Sequence, residues 1–413
     1  MHAPQLPDRR IDEYATIVGS AQIERLRSLA DRLTDCRVLH INSTVTGGGV
    51  AELLRSIIPL ANDLGVATDW LVMDATDAFF DVTKAMHNGL QGSGSPLTDE
   101  MKAVYRSVNE QNVATLEGRY DIVIVHDPQP LGMVAGLRAR MPDAQVFWRC
   151  HIDLTEPDQA YSAFIKPLLA DIDRAIYSRS AYAEAFDLPV PTSIIHPAID
   201  PLTEKNRSLD SATVATECDR LDPLTFEAPV IAQVSRFDPW KDQFGTLDAY
   251  RLCRETIPNL QLVLAGGMAG DDPEGLEMYE RIAAEAVEDA DVHVLTDLPD
   301  TRINVLQRRS DVVIQKSLRE GFGLVVSEAL WKQTPVVGSN VGGIPLQIQH
   351  GRNGYIVEPD DTHDLSDRVV TLLRDPDLRH AFGNRAREHV RQGFLLPRQL
   401  DDLLTLCAES RHR

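Results

Sequence analysis

The 413-residue sequence lacks any run of 18 uninterrupted apolar residues, and it has only five cysteines and seven lysines. Without a long apolar run, no membrane-spanning helix is predicted. The cysteines are odd in number and form no Cys-X-X-Cys pair, which favours buried free thiols over disulfides or zinc ligands. Residues 1–10 are polar and have no apolar signal core. These absences together predict a cytoplasmic protein.

The charge balance is strongly acidic, with a formal net charge of -21. This charge disfavours nucleic acid and anionic membranes as partners, and we interpret it as a solvated, soluble surface. Hydrophobic residues make up 43% and charged residues 25%, as is normal for a soluble globular protein. The length exceeds that of one ordinary core and predicts two domains.

Short β-rich runs alternate with helical patterns along the whole chain, which predicts two doubly wound α/β domains with parallel sheets. We predict an N-terminal domain over residues 1–215, a second over 216–390, and a C-terminal helix, 391–413, that packs back on the first. The polar, proline-containing residues 200–229 are interpreted as a linker. The predicted strands are 38–42, 68–73, 122–126, 145–150, 175–178, 193–196, 230–234, 262–265, 292–296, 312–315, 335–338 and 355–357.

Three consecutive glycines, Gly47, Gly48 and Gly49, connect the first predicted strand to the best predicted helix, residues 50–64. That helix has a wide apolar face, although Pro59 is expected to kink it or end it early. A glycine turn lets backbone N–H groups approach a phosphate. The spacing matches neither a dinucleotide fingerprint nor a Walker A loop, so a phosphate cradle and a tight connection both remain open.

The most informative segment is residues 319–330, Arg-Glu-Gly-Phe-Gly-Leu-Val-Val-Ser-Glu-Ala-Leu, between a predicted strand and a predicted helix. Glu320 and Glu328 lie eight positions apart, and a Gly-Phe-Gly turn follows the first. The start of a helix favours an anion, whereas carboxylates accept hydrogen bonds from sugar hydroxyls. The segment therefore predicts a ligand that is part anion and part sugar.

Residues 235–242, Ser-Arg-Phe-Asp-Pro-Trp-Lys-Asp, follow the first predicted strand of the second half. Arg236 and Lys241 thus stand at the carboxyl end of a strand, where α/β proteins bind ligands. A fixed guanidinium and a mobile ammonium suit a diphosphate that gains charge as it leaves. The alternative is a surface ion-pair group that includes Asp238 and Asp242.

Polar residues also end two predicted strands of the first half, in the runs His-Asp at 126–127 and Trp-Arg-Cys-His-Ile-Asp at 148–153. Histidine titrates near neutrality and suits a site at this position. His151 is predicted to be functional because Trp148, Arg149 and Asp153 converge with it. His40 and His196 are interpreted as satisfied strand-end histidines. No spacing resembles a metal site, so no metal is predicted.

Further glycine turns follow strands of the second half. Gly266, Gly267 and Gly270, together with Leu295 at the end of the next strand, line either a nucleotide-base pocket or ordinary loops. For the Val-Gly-Gly-Ile turn at 341–344 we predict a structural role in the packing of the following helix.

Taken together, these segments resemble the retaining glycosyltransferases of family 4, which have the GT-B architecture of two Rossmann-like domains facing a central cleft. The resemblance covers nearly the whole chain. More narrowly, residues 40–44, 126–130 and 148–153 are similar to the trehalose-synthesising members of that family. Fungal-type trehalose phosphorylases share these segments but are much longer chains.

The resemblance implies a role for each candidate residue. Arg236 and Lys241 would bind the leaving diphosphate, Glu320 the hydroxyls of the donor glucose, and His151 the donor sugar near the reaction centre. Donor contacts would come from Glu328 through the ribose, and from Gly48, Gly49, Phe322, Gly323, Leu324, Val325 and Leu295. Acceptor contacts would come from Asp127, Gln129, Arg149 and Asp153.

The implied reaction is glucosyl transfer with retention, from a nucleoside-diphosphate glucose to free glucose, giving α,α-trehalose and nucleoside diphosphate. No cofactor would be tightly bound, and the partners would be small molecules, with a homodimer left open. The alternatives are a trehalose phosphorylase, a family 4 enzyme with another sugar acceptor, and a non-enzymatic sugar-nucleotide sensor.

Overall fold

The computed structural model describes residues 1–45, 49–267 and 273–411. The chain forms two compact units. The first unit is Met1–Pro197 together with Leu396–Arg413, and the second unit is Ala198–Leu395. The division falls before the boundary that we predicted between residues 215 and 216, and the last helix is grouped with the first unit.

Each unit is built on a parallel sheet, with six strands among the described residues. The first sheet has the order β2-β1-β3-β4-β5-β6 and the second the order β12-β11-β10-β7-β8-β9. The strands are β1 Arg37–Asn42, β2 Ala67–Val72, β3 Ile122–His126, β4 Gln145–Cys150, β5 Arg174–Tyr177, β6 Thr192–Ile194, β7 Val230–Val234, β8 Gln261–Gly266, β9 Val292–Thr296, β10 Val312–Gln315, β11 Val336–Ser339 and β12 Gly354–Val357. Every predicted strand overlaps an observed one, which confirms the parallel α/β fold class.

Helices connect successive strands, as parallel pairing requires. The α-helices are α1 Ala15–Val18, α2 Ser20–Asp31, α3 Gly49–Asp63, α4 Asp77–Leu90, α5 Asp99–Thr115, α6 Val134–Arg140, α7 Gln159–Ile165, α8 Ser180–Phe186, α9 Ser211–Asp219, α10 Gln243–Arg254, α11 Pro273–Ala286, α12 Asp300–Arg309, α13 Leu324–Trp331, α14 Ile344–Gln347, α15 Thr362–Arg374, α16 Pro376–Gly393 and α17 Leu396–Ser410. Short 3-10 helices cover Ile11–Tyr14, Gln129–Met133, Lys166–Leu169 and Pro239–Lys241.

Both faces of the second sheet are buried, because side chains alternate between two hydrophobic clusters. Ile231 of β7 packs in one cluster with Leu262, Leu264 and Ile314. Its neighbours Val230 and Ala232 pack in the other, which also holds Leu306 of α12. Strands covered on both faces read as continuous apolar runs, which is why they were predicted correctly.

Helix α3 runs through Pro59 to Asp63, so the expected early end does not occur. Proline removes one backbone hydrogen bond, but the surrounding Ile57, Ile58 and Leu60 are buried, and this packing outweighs the lost bond. Helix α16 ends at Gly393 and α17 begins at Leu396.

The segment that we interpreted as a linker, residues 200–229, is instead part of the second unit. It contains α9, which packs against α12. Asn304 Nδ2 donates to the carbonyl oxygens of Glu204 and Arg207 at 2.9 Å each, and Lys332 Nζ donates to Asn206 Oδ1 at 2.8 Å. Polar residues without periodicity are ordered here by hydrogen bonds, which leave no hydrophobic pattern in the sequence.

Candidate functional site

In each sheet the strand order reverses once, and such a switch point opens a crevice at the carboxyl ends of the two strands beside it. In the second sheet the switch lies between neighbouring strands β7 and β10. The predicted residues Arg236 and Lys241 follow β7, and Glu320 follows β10. The topology thus places the two charged segments at the same point of the sheet edge.

Lys241 and Glu320 form an ion pair, with Lys241 Nζ 2.6 Å from Glu320 Oε2. Both side chains are largely buried, with exposed fractions of 15% and 11%. Gln315 Nε2 and Ser317 Oγ also donate to Glu320 Oε2, each at 3.3 Å. The carboxylate is therefore held by three donors, which fixes its position as a hydrogen-bond acceptor.

A second ion pair lies beside the first and joins the same two loops. Lys316 Nζ contacts Asp242 Oδ2 and donates to the carbonyl oxygen of Pro359 at 2.9 Å. Asp242 has a φ of 44° and caps helix α10 by accepting from the N–H of Gly245 at 3.0 Å. Adjacent residues 241 and 242 are thus both tied to the segment after β10.

Arg236 is the most exposed of the predicted charged residues, at 55%, and its Nη2 lies 3.1 Å from Asp238 Oδ2. This contact is part of the ion-pair group that the alternative interpretation proposed. Two buried glutamines hold the backbone of the loop after β7. Gln243 Nε2 donates to the carbonyl oxygen of Arg236 at 2.8 Å. Gln233 Nε2 donates to that of Lys241 at 2.6 Å.

The Gly-Phe-Gly turn leads directly into helix α13. Gly323 is the N-cap of this helix with a φ of 78°, a conformation that favours glycine. Phe322 is buried beside Phe394, and Leu324 and Val325 form the first turn. The turn therefore presents the start of a helix next to Glu320.

Gln347, on α14, holds this turn in place. Its Nε2 donates to the carbonyl oxygen of Phe322 at 2.7 Å, and its Oε1 accepts from the N–H and Oγ of Ser327 at 3.0 and 2.6 Å. The side chain is fully buried. Sequence reasoning missed Gln347, because one buried glutamine leaves no periodic signal.

The glycines before α14 allow a close approach to the same turn. A Cβ at Gly342, which has a φ of 52°, would collide with the carbonyl oxygen of Glu320. A Cβ at Gly343 would collide with the ring of Phe322. The structural role predicted for this turn thus extends beyond α14 to the support of Glu320.

Glu328 lies one turn further along α13 and is 5% exposed. Its Oε2 accepts from Gln307 Nε2 at 3.4 Å, and its Oε1 is 4.0 Å from Lys205 Nζ. Lys332 donates to the Glu328 carbonyl oxygen at 3.1 Å, and burial lowers the pKa of Lys332 to about 7. Glu328 therefore lies in a buried, polar environment with its own amide and cationic partners.

Leu295 lies near the end of β9 and is partly buried against the cluster that includes Val263. Gly266 ends the neighbouring strand β8, where a Cβ would collide with the carbonyl oxygen of Ser235. Gly266 thus lets the loop that carries Arg236 pass close by. The predicted positions Gly47, Gly48 and Gly270 lie outside the described residues, and Gly49 is the first residue of α3.

In the first sheet the switch point lies between β1 and β3, and three histidines cross it. His40 Nδ1 lies 2.9 Å from His126 Nε2, and His126 Nδ1 lies 3.1 Å from His151 Nε2. The rings are stacked, with centroids 5.2 and 5.3 Å apart. We call these three residues the histidine row. Sequence reasoning singled out His151 but missed its connection to His40.

Strand register explains the row. His40 pairs with Ile124 and His126 pairs with Arg149. Each histidine therefore lies two residues closer to the carboxyl edge than the one before, on the same face of the sheet. The row begins at buried His40 and His126 and ends at the partly exposed His151. Burial lowers the pKa of His40 to about 3, and those of His126 and His151 well below 6.5.

Asp127 and Gln129 lie directly after β3. Asp127 has a φ of 60°, and its Oδ1 accepts from the N–H of His151 at 2.7 Å. Burial raises the pKa of the Asp127 carboxyl to about 7. The Gln129 carbonyl oxygen accepts from Asn109 at 3.1 Å. Asp127 therefore positions the backbone of His151 as well as contributing its own carboxyl group.

Arg149 and Asp153 are both buried, at 4% and 5% exposure. Arg149 Nη2 donates to the carbonyl oxygen of Ile195 at 2.8 Å, and burial lowers its pKa to about 10. Asp153 Oδ1 accepts from the N–H and Oγ1 of Thr155 at 2.9 and 2.6 Å. Both side chains thus shape the loop around His151 through contacts with the protein.

Within residues 1–45, 49–267 and 273–411, no group of three or more His, Cys, Asp or Glu side chains is arranged to hold a metal ion. Over the same part of the chain, no helix is both long enough and apolar enough to cross a membrane.

Comparison with protein families gives two matches. Residues 40–184 match the family described as "Trehalose synthase, N-terminal domain", and residues 223–389 match "Glycosyl transferases group 1". A sucrose-phosphate synthase from Thermosynechococcus elongatus superposes with a TM-score of 0.73 at 18% identity, over 91% of this chain and 99% of that one. An Anabaena protein in complex with UDP and glucose gives 0.68 at 17% identity, over 91% and 100%. The fold is therefore that of the GT-B glycosyltransferases.

Comparison with curated proteins shows which glycosyltransferases the chain is similar to in sequence. A trehalose synthase from Thermococcus litoralis is 40% identical over 96% of both chains, and one from Rubrobacter xylanophilus is 42% identical over 97% of both. A trehalose phosphorylase from Pleurotus pulmonarius is 29% identical over 92% of this chain but only 58% of its own length. The chain belongs to the trehalose synthase family of glycosyltransferases.

Proposed function

We propose that the protein is a retaining glucosyltransferase that makes α,α-trehalose from a nucleoside-diphosphate glucose and free glucose. The observation that carries this proposal is the Lys241–Glu320 pair at the switch point of the second sheet, with side chains only 15% and 11% exposed. It combines a cation suited to a diphosphate with a carboxylate suited to sugar hydroxyls. Relatives over 96% of the chain are trehalose synthases, which supports trehalose as the product.

The donor binds to the second unit. Arg236 and Lys241 hold the diphosphate, and Glu320 accepts hydrogen bonds from the glucose hydroxyls. The backbone of residues 322–325, at the start of α13, contacts the phosphate and the sugar. Glu328 binds the ribose and Leu295 packs against the nucleotide. Gly48 and Gly49 are the donor-binding residues that we propose for the first unit.

The acceptor binds to the first unit, near the end of the histidine row. Asp127 and Gln129 contact acceptor hydroxyls, while Arg149 and Asp153 shape the surrounding loop. His151 contacts the donor glucose near C1. These groups offer one buried cation, Arg149, which favours a neutral sugar over a sugar phosphate as acceptor.

The chemical step is a front-face displacement. The bond between glucose C1 and the β-phosphate oxygen breaks, and a bond from C1 to the acceptor oxygen forms on the same face. The acceptor proton passes to the departing phosphate oxygen, whose negative charge Arg236 and Lys241 stabilise. Catalysis is then mostly positioning and electrostatic stabilisation, with no tightly bound cofactor.

A direct test uses labelled glucose with UDP-, ADP- and GDP-glucose in separate reactions, followed by trehalase treatment of the product. We expect a labelled disaccharide that trehalase cleaves, with at least one of the three donors. A disaccharide that resists trehalase, or a product formed only from glucose 6-phosphate, would contradict the proposed acceptor.

Phosphorolysis of trehalose is the second candidate, because a relative spanning 92% of this chain is a trehalose phosphorylase. Incubation with trehalose and inorganic phosphate separates the two reactions. Glucose 1-phosphate formed without any nucleotide would establish phosphorolysis. Release of nucleotide-glucose from trehalose and nucleoside diphosphate would support the transferase.

A further inference from the structure

The histidine row couples the hydrogen bonds of His151 to those of two buried rings. His126 is the middle ring and uses both nitrogens, Nε2 toward His40 at 2.9 Å and Nδ1 toward His151 at 3.1 Å. A neutral imidazole carries one N–H and one lone pair. A neutral His126 must therefore donate in one bond and accept in the other.

All three rings are held neutral by their surroundings. His40 and His126 are 2% and 3% exposed. Burial lowers the pKa of each ring, and the Arg149 guanidinium, on the same face of the sheet, lowers all three further. Asp127 approaches from the β3 side, but its Oδ1 accepts from the His151 backbone N–H rather than from a ring. Each ring thus contributes a single N–H.

Three N–H groups and two hydrogen bonds leave only two consistent arrangements. If His126 Nδ1–H donates to His151 Nε2, then His40 Nδ1–H donates to His126, and His151 carries its proton on Nδ1. If His151 Nε2–H donates instead, both bonds reverse and Nδ1 of His151 carries a lone pair. The tautomer of one ring therefore dictates the tautomers of the other two.

We propose that the row adopts only one of these two arrangements. His126 and His40 are then positioning residues that lock His151 in one neutral tautomer, so that His151 Nδ1 meets a sugar hydroxyl with a fixed hydrogen-bond sense. This proposal rests on the proposed function for the contact between His151 and the sugar. His151 Nδ1 would then be a hydrogen-bond donor or acceptor of fixed sense. The stacked rings of His40 and His126 hold it, so it needs no reorganisation when the substrate binds.

The test compares variants of the full chain by NMR of 15N-labelled histidine, which distinguishes Nδ1–H from Nε2–H rings. In the wild type we expect His151 in a single neutral tautomer. His126→Phe removes both hydrogen bonds of the middle ring, so we expect a mixture of tautomers at His151. In His126→Asn the amide stands near the position of Nδ1 and keeps a bond to His151, so we expect a partial return to one tautomer.

His196→Asn is the matched control, because His196 lies in the same unit outside the row and its Nδ1 is 2.7 Å from the carbonyl oxygen of Ser178. It should leave the His151 spectrum unchanged. Circular dichroism and thermal unfolding of each variant confirm that the fold is intact. Two tautomers in the wild type, or an unchanged His151 spectrum in folded His126→Phe, would overturn the proposal.

Kinetics provide the second readout. We expect His126→Phe to lower kcat by about 10- to 100-fold with little change in donor KM, as for partners that orient a site residue. His126→Asn should recover most of the loss. The spectra require no substrate, so the lock can stand even if His151→Ala retains full turnover. That result would reject the proposed role of His151 in transfer.

Discussion

The candidate sites of the two units lie at equivalent places in their sheets but differ in charge. Both sheets are parallel and bring polar residues together where the strand order reverses. In the second unit these residues are charged and paired, as Lys241 with Glu320 and Lys316 with Asp242. In the first unit the histidine rings are neutral, and burial raises the pKa of Asp127 to about 7. Topology thus determines where these residues meet. Pairing with an opposite charge distinguishes the second unit, since Lys241 and Glu320 are also largely buried.

This difference matches the two halves of the proposed reaction. A nucleoside diphosphate is an anion that gains charge as it departs, and it needs full cations. Free glucose is neutral and needs hydrogen bonds of defined direction, which a buried, uncharged row of rings supplies. Changes that remove charge should therefore affect the two units very differently.

Removal of either member of the Lys241–Glu320 pair should have the largest effect. We expect Lys241→Ala and Glu320→Gln each to lower kcat by about 100-fold or more, the usual cost of losing a preorganised electrostatic partner. Steady-state kinetics with each nucleotide-glucose measures the change.

The matched control is Glu217→Gln, because Glu217 pairs with Arg302 at 3.0 Å and its side chain has the same 11% exposure as that of Glu320. It should keep near wild-type turnover. Equal losses for Glu217→Gln and Glu320→Gln would mean that buried charge supports the fold rather than the reaction.

A glycine pair tests the support of Glu320 without altering any charge. Gly342 and Gly351 both have positive φ, but only at Gly342 would a Cβ collide, with the Glu320 carbonyl oxygen. We expect Gly351→Ala to cost about 1–2 kcal/mol of unfolding free energy. Gly342→Ala should cost about 1–3 kcal/mol more, with turnover reduced more than about 10-fold because Glu320 is displaced. Similar effects of the two variants would contradict a link between this turn and the site.

In the first unit, Asp127→Asn should change how stability depends on pH. The carboxyl pKa is raised from 3.8 to about 7 in the folded protein, so the folded state binds more protons than the unfolded state between these values. The contribution of the Asp127 carboxyl to the free energy of unfolding of the wild type is therefore lost as pH rises from about 4 to about 7. Asparagine cannot ionise, so we expect the variant to gain about 4 kcal/mol relative to wild type across this window, at about 1.4 kcal/mol per pKa unit.

Denaturant unfolding of Asp127→Asn at pH 4.5 and pH 8 measures the relative gain. Asp74→Asn is the control, because its hydrogen bond with the Met1 amine lowers the pKa of Asp74, and any effect lies at more acidic pH. A constant stability difference between Asp127→Asn and wild type would show that Asp127 stays ionised in the folded protein.

The smallest change in activity is expected for variants of Glu328, whose partners Gln307 and Lys205 are not those of the Lys241–Glu320 pair. We expect Glu328→Ala to raise donor KM by about 10-fold, the cost of roughly one hydrogen bond to a charged group, with little change in kcat. Glu328→Gln keeps an acceptor oxygen and the contact with Gln307, so it should recover part of the affinity. A rise in acceptor KM with unchanged donor KM would contradict the assignment of Glu328 to the donor.

The sequence was sufficient to predict the fold class and the twelve strands among the described residues, because most buried parallel strands are continuous apolar runs. It also indicated Lys241 and Glu320, which stand at strand ends. It could not indicate Gln347, Gln315 or Lys316, since a buried polar residue is satisfied by partners that are distant in the chain. The histidine row depends on the register of three strands, so His40 was interpreted only as a satisfied strand-end histidine.

The linker assignment failed for a related reason. Residues 200–229 are polar and aperiodic, as a linker would be, but their hydrogen bonds to Asn304 and Lys332 make them part of the second unit. The chain passes from one unit to the other at two places, between Pro197 and Ala198 and between Leu395 and Leu396. Beside them, the N–H of Ile199 donates to the Phe394 carbonyl oxygen at 2.9 Å.

The second unit is therefore an insertion within the first, and its last residue precedes α17 of the first unit in the chain. The second unit is complete once residue 395 has emerged, whereas the first unit still lacks α17. This helix packs against α2 and α3, and Asp401 on it pairs with Arg25 at 2.6 Å. The half of the protein that is synthesised first is thus the last to be finished. A chain that ends at Leu395 contains the whole second unit but lacks α17, so it should resist protease in the second unit more than in the first.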